Sequence, residues 1–257
     1  ETGRWLVRYS PDRCSVLIGL ALLAMDRGED DIELIQIVGL LSDTFGWLAA
    51  DALKRRFGGE ALVWLAERIS GSSRIQVVET LCLPGSSASR SWLLRRSCQR
   101  DFYDAYYAGT VATTAHLHEA IIADDVDDEL VDHTGRLLLS MAGASGMGMT
   151  WESYPPIRIV LDAYIRQLAR RTPSAERYLN AARLLDNLVT HEPDGFSFTT
   201  EQRDDVVNRY LWMLHRPNWT EAVRAGIDPN DVHLTRFVRT VAPRLGLPAL
   251  IVLDDER

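Results

Sequence analysis

Between Asp43 and Phe57 the chain reads D-T-F-G-W-L-A-A-D-A-L-K-R-R-F, with apolar side chains at Phe45, Leu48, Ala49, Ala52, Leu53 and Phe57. Recurrence at three and four residues places these on one face of an α-helix, and the alanines leave room for a second helix to approach closely. Segments of the same kind, short and apolar on one side, follow one another to the end of the chain, with almost no strand-like alternation between them. Elements of about ten residues are too short to be stable alone, so their helicity has to come from packing on neighbours. The expected class is all-α, a superhelical array of antiparallel helix pairs.

Turn and capping residues mark out the segments. Ser10-Pro11 reads as a cap and first helical residue for a segment that runs to about Arg27. Asp43 reads as a cap, and Asp30-Asp31 puts negative charge at the start of the helix before it. Gly58-Gly59, Gly71-Ser72-Ser73 and Pro84-Gly85-Ser86-Ser87 separate the next three segments. Further on, Thr172-Pro173 opens a helix that His191-Glu192-Pro193-Asp194-Gly195 closes. Thr199 with Gln202 has the form of a capping box, and Asp228-Pro229 opens a last helix. The longest run of small residues, Ala142 to Thr150, is the expected internal boundary. It gives N-terminal helical repeats over residues 1–142, a loop or hinge over 143–156, and C-terminal helical repeats over 157–257, with one continuous domain as the alternative.

Composition narrows function more than fold. The formal net charge of -8 disfavours a nucleic-acid partner, because phosphate has to be neutralised by cations, although a local basic face can survive inside an acidic total. Lys54 is the only lysine, which reads as the codon bias of a GC-rich bacterial genome. Cys14, Cys82 and Cys98 are an odd number with no close spacing, so reduced, buried thiols are expected, and with them a cytoplasmic location. The apolar stretch from Val16 to Met25 covers about half a bilayer span, so no membrane association is expected. Asn218-Trp219-Thr220 has the form of a glycosylation sequon and reads as accidental. The chain opens on Glu1-Thr2-Gly3 rather than methionine, as a cloning remnant or a piece of a longer protein would.

With these residues in view, the chain resembles the HEAT and armadillo-like helical repeat proteins. The second helix of a HEAT repeat carries an aspartate, then an apolar residue with alanines four and seven positions later and leucine at eight. Asp43, Phe45, Ala49, Ala52 and Leu53 match, and Leu17, Ala21, Ala24 and Met25 form a looser copy. Ala108, Ala112 and Ala115 keep the small positions, with His116 at the leucine place. Where the family places an arginine after the apolar residue, this chain has Gly46 and Ile18. The resemblance covers Ser10 to Leu117 and implies an α-solenoid that presents an extended surface to a partner.

Four groups of residues carry possible chemistry. Asp124, Asp125 and Asp128 match the D-D-x-x-D spacing by which terpene synthases hold magnesium, but no second metal-binding run follows. Asn230-Asp231-Val232 begins one, and Thr235 has no glutamate at the required place. Helix capping explains the acids without a metal. His116 and His118, two apart, would diverge by roughly 200° on a helix and could not share an ion. Arg90, Arg95, Arg96 and Arg100, with Tyr103, Tyr106 and Tyr107 behind them, are the candidate for a nucleic-acid groove of the kind found in HEAT-like DNA glycosylases. Asp101 and Asp104 interrupt it. Trp151 and Tyr154, in the loop before Pro155-Pro156, are the aromatic pair expected to be exposed for binding.

No nucleophile elbow, phosphate loop or Cys-His signature is present, so no catalytic residue and no cofactor are expected. The reading is of a helical-repeat protein that binds another protein, one of basic character given its own acidity, as scaffold, regulator or immunity-type inhibitor. A HEAT-like nucleic-acid binder or glycosylase is the alternative, and a magnesium-dependent small-molecule enzyme the weaker one.

Overall fold

A computed structural model describes residues 1–54, 56, 59–83, 87–190, 199–226, 228, 232–247 and 250. Among these, every regular element is helical. The expected breaks at Gly58, Pro84-Gly85-Ser86, His191 to Gly195 and Pro229, and the Asn230-Asp231 pair, lie outside the described residues. The chain forms two compact units, residues 1–115 and 116–257. The division falls between Ala115 and His116, and the segment 143–156 lies inside the second unit rather than at a boundary.

The first unit contains α1 (Thr2–Tyr9), α2 (Arg13–Ala24), α3 (Ile32–Gly39), α4 (Asp43–Lys54), α5 (Gly59–Ala66), α6 (Ser72–Leu81), α7 (Ser87–Arg96) and α8 (Asp104–Thr114), with a 3-10 turn at Glu29–Asp31 before α3. Consecutive helices pack as pairs: α1 on α2, α3 on α4, α5 on α6 and α7 on α8. The even helices also pack in succession from α2 to α8, and the odd ones from α3 to α7. Phe45, Ala49, Ala52 and Leu53 of α4 are buried as their stripe requires. Burial of such apolar surface, at roughly 25 cal/mol per Å², is what makes these short helices persist.

The looser copy of the pattern does not hold its register. In α2 the buried residues are Gly19, Leu20, Leu23 and Ala24, while Ala21 and Met25 are exposed. The close crossing of α1 and α2 decides this. A Cβ on Gly19 would lie 2.9 Å from the Gly3 carbonyl and 2.8 Å from Val7 Cγ2, so only glycine admits α1 at that distance. Caps differ by a residue or two from those expected. Asp12 rather than Ser10 caps α2, accepting from the Ser15 amide at 2.9 Å. The Phe45 amide turns to Ser42 Oγ, which frees Asp43 to accept from the Ser72 and Ser73 hydroxyls of α6. Asp31 keeps the N-cap position of α3, but its carboxylate does not cap the helix and is buried in a bidentate pair with Arg4, at 2.6 and 3.0 Å.

The second unit contains α9 (Leu117–Ala120), α10 (Asp128–Ala142), α11 (Ile157–Leu168), α12 (Ala175–Thr190), α13 (Thr200–Leu214), α14 (Pro217–Gly226) and α15 (Val232–Leu245). Helix α12 lies against α10, α13 and α14, and α11 against α9, α10 and α13. Asp127 caps α10, and the Thr199–Gln202 capping box opens α13 as the sequence requires. Helix α14 has no counterpart in the segments marked out above. Pro217 opens it, Trp219 of the sequon is fully buried in it, and the sequon therefore sits in a helix.

The thiols divide by exposure. Cys82 and Cys98 are buried and Cys14 is exposed, against the expectation of three buried thiols. Burial pushes the Cys82 thiol up to about 12, which removes its thiolate at neutral pH. Alkylation under native conditions at pH 8 should modify Cys14 within minutes and leave Cys82 and Cys98 intact until denaturant is added. Mass spectrometry of the time course checks this, and early labelling of Cys82 would contradict its placement.

Candidate functional site

Large apolar side chains lie exposed in the first four helices. On α1, Trp5 and Tyr9 are four residues apart and their rings are 6.2 Å apart. On α2 and at its C-cap, Ile18, Leu22 and Met25 follow at spacings of four and three, with Met25 74 % exposed. Ile37, Leu40, Leu41 and Trp47 continue the exposure through α3 and α4. The connection between α2 and α3 carries exposed Asp26, Arg27, Glu29 and Asp30, and exposed Glu33 follows in the first turn of α3. Large apolar side chains left 40–74 % exposed thus occur in the same stretch of chain as exposed carboxylates. Spacing gives this away in the sequence: α2 is apolar on more faces than α1 and α4 can cover.

The arginine and tyrosine segment in the same unit has a structural centre. Arg74, on α6, is buried, and its guanidinium donates to the Ala66 carbonyl at the end of α5 and, at 2.8 Å, to the Ser97 carbonyl just past α7. Trp92 lies under the cation at 5.6 Å. Tyr107 donates to Ser97 O at 3.1 Å and to the buried Asp104 carboxylate, which also accepts the Gln99 and Arg100 amides at 3.1 and 2.7 Å. Burial, with Asp104 nearby, raises the Tyr107 phenol far above its ordinary range, so it remains a donor. Tyr107 and Asp104 thus belong to the interior.

The expected binding arginines take separate partners around this centre. Arg95 donates to Ser91 Oγ at 3.3 Å, Arg96 faces Glu67 at 3.8 Å, and Arg100 is exposed on a turn with φ 68°. Tyr106 is half-buried and packs edge-on against exposed Phe102, with ring centroids 6.1 Å apart, and Tyr103 joins the same group. The aromatic cluster is real, but its exposed member is Phe102, which the sequence did not single out.

Trp151 and Tyr154 are 1 % exposed, not surface residues. The segment that holds them is a run of hydrogen-bonded turns, with Met147 bonded back to Ala144 at 2.8 Å and the Thr150 amide to Ser153 Oγ at 2.9 Å. Those turns direct Trp151 inward, where its indole N–H donates to the Leu138 carbonyl of α10 at 2.8 Å. The Tyr154 hydroxyl accepts from the backbone N–H of His118, and burial raises its phenol well above the ordinary range. Both residues tie the 143–156 segment to the second unit.

The acidic run does not assemble as a metal site. Asp124 and Asp125 lie exposed in a turn, Asp127 caps α10, and only Asp128 is helical. Asp128 is taken by two arginines, Arg171 at 3.0 Å and Arg177 at 2.8 Å, and the Arg177 hydrogen bond holds its carboxyl below the usual range. Arg177 also makes a bidentate pair with Asp132, at 2.6 and 2.9 Å. D-D-x-x-D spacing points acids the same way only on one helix, and here the helix begins at the last of them.

The two histidines behave opposite to expectation. His116 is the residue after the C-cap of α8 and has φ 53°, ψ 53°, the left-handed conformation that commonly ends a helix. It is also the N-cap of α9, its carbonyl accepting from the Glu119 and Ala120 amides, both at 3.1 Å. This reversal cancels the helical divergence, and the imidazoles of His116 and His118 come to 6.1 Å between centroids. Glu119 Oε1 lies 3.8 Å from His116 Nδ1 and 3.9 Å from His118 Nε2. Among the described residues this is the cluster of histidine, cysteine and carboxylate groups whose ligand atoms converge, all within 4.8 Å of one another.

Comparison with protein-family models, curated proteins and solved structures finds no match for this chain. No helix among the described residues is long and apolar enough to cross a membrane.

Proposed function

We propose that this is a non-catalytic helical-repeat protein whose first unit, an α-solenoid in type, binds another protein of basic character. Pairing of consecutive helices, with even helices stacked on even and odd on odd, supports the repeat reading. The observation that carries the function is the number of large apolar side chains exposed on α1 to α4, together with the exposed acids of the α2–α3 connection. Interfaces draw their energy from a few large apolar anchors ringed by polar groups, and Trp5, Trp47 and Met25 are the anchors available.

Affinity capture from native lysate, with nuclease-treated and untreated samples in parallel, should recover one protein partner in both. Exposed substitutions change stability little, so Trp5→Asp and Met25→Asp should keep the thermal midpoint within a degree or two while weakening capture by about 10-fold or more. Retention of the partner by both variants would move the contact elsewhere. Recovery that disappears with nuclease would favour the nucleic-acid reading through Arg95, Arg96 and Arg100 with Phe102 and Tyr106.

A further inference from the structure

We infer that His116, His118 and Glu119 form a binding site for a single divalent cation of the zinc class. The reading is independent of the partner surface, since all three residues belong to the second unit. Two imidazoles and a carboxylate are a ligand set that zinc accepts, with the remaining position open to water or another ligand. Tetrahedral coordination at zinc's bond lengths of about 2.0–2.2 Å sets ligand atoms roughly 3.4 Å apart. The His116–Glu119 and His118–Glu119 separations are 3.8 and 3.9 Å and all three ligand atoms lie within 4.8 Å of one another, so the partly exposed side chains have to close in by torsion to seat the ion.

The backbone, rather than chance proximity, makes the cluster. A left-handed conformation is uncommon for a residue with a Cβ, and here it turns the His116 ring back over α9. His118 is positioned by the core: its backbone N–H is held by buried Tyr154, and Leu117 beside it is fully buried. Its Nδ1 is buried without a hydrogen-bond partner, so the edge of the ring that meets the outside is Nε2, the atom facing Glu119. A cation between these atoms would join the two rings and the carboxylate into one coordinated group.

The experiment uses the full chain without a polyhistidine tag, stripped with chelator and titrated with zinc chloride by calorimetry. One saturable site is expected, with His118→Ala and His116→Gly each weakening it by at least about 10-fold. His116→Gly is the informative variant, because glycine adopts positive φ without strain. It should lose the metal while keeping a thermal midpoint no lower than the unsubstituted chain. Replacement of zinc by cobalt should give d–d absorption without a thiolate charge-transfer band. Absence of saturable binding, unchanged affinity in both variants, or a thiolate band pointing to Cys14 would each overturn the site.

Discussion

Trp151→Ala should destabilise the second unit by about 3–5 kcal/mol, the usual cost of truncating a fully buried tryptophan to alanine. Its indole is 1 % exposed and donates to the Leu138 carbonyl at 2.8 Å, so the substitution removes a large packed side chain and a buried donor together. Domains are stable by about 5–15 kcal/mol in total, so a loss of this size approaches global unfolding for a small one. Hydrogen exchange of the Leu137, Leu138 and Tyr164 amides in α10 and α11 should lose protection by a factor of about 100 or more. Trp151→Phe keeps most of the buried area and should retain the greater part of that protection. Unaltered protection in Trp151→Ala would restore the view of an exposed loop tryptophan.

How the sequence misplaced Trp151 shows where one-dimensional reading runs out. A run of glycines and serines followed by two prolines has the composition of a surface loop, and its backbone does take turns. Whether a tryptophan at the end of that loop points out or in depends on which helices border it, and α10 and α11 are long enough to offer a buried slot. Helix existence was legible at α4, α11, α12 and α13 because each carries an apolar stripe at helical spacing, and neighbouring helices cover it. Register was legible only where the stripe is narrow. Asp43 to Leu53 has one apolar face, whereas α2 is apolar nearly all round, and only the Gly3–Gly19 crossing selects which face is inside.

The histidine cluster was hidden for a related reason. A helical wheel sets His116 and His118 on opposite sides, and that holds only if both are helical. Nothing in Ala115-His116-Leu117 signals a left-handed residue, since glycine or asparagine ordinarily marks that position. The Arg74 centre was equally silent, because its partners are mainly backbone carbonyls and Tyr107 lies 33 positions away. By contrast the capping box at Thr199–Gln202 is local, within three residues, and was legible in full, while at α10 the acidic run marked the helix start without showing that Asp127 is its cap.

Arg74→Met should cost the first unit about 3–5 kcal/mol, because it strands what the guanidinium satisfies rather than merely deleting an ion pair. The odd helices α5 and α7 end on carbonyls at Ala66 and Ser97 that both accept from this one side chain. Helix C-termini concentrate partial negative charge, and in the interior water is not there to balance it. The same guanidinium also donates to the Tyr107 hydroxyl, which in turn donates to buried Asp104, so loss of Arg74 removes one support of the tyrosine that holds this carboxylate. Tyr107→Phe should cost less, about 1–3 kcal/mol, since it removes one hydroxyl from two acceptors. As the two side chains share Ser97 O, the double variant should fall short of additivity by about 1 kcal/mol or more in urea unfolding. Strict additivity, or a loss below about 1 kcal/mol for Arg74→Met, would mean that the end carbonyls of α5 and α7 are satisfied without it. In that case stacking of apolar faces alone would hold the odd helices to the even ones.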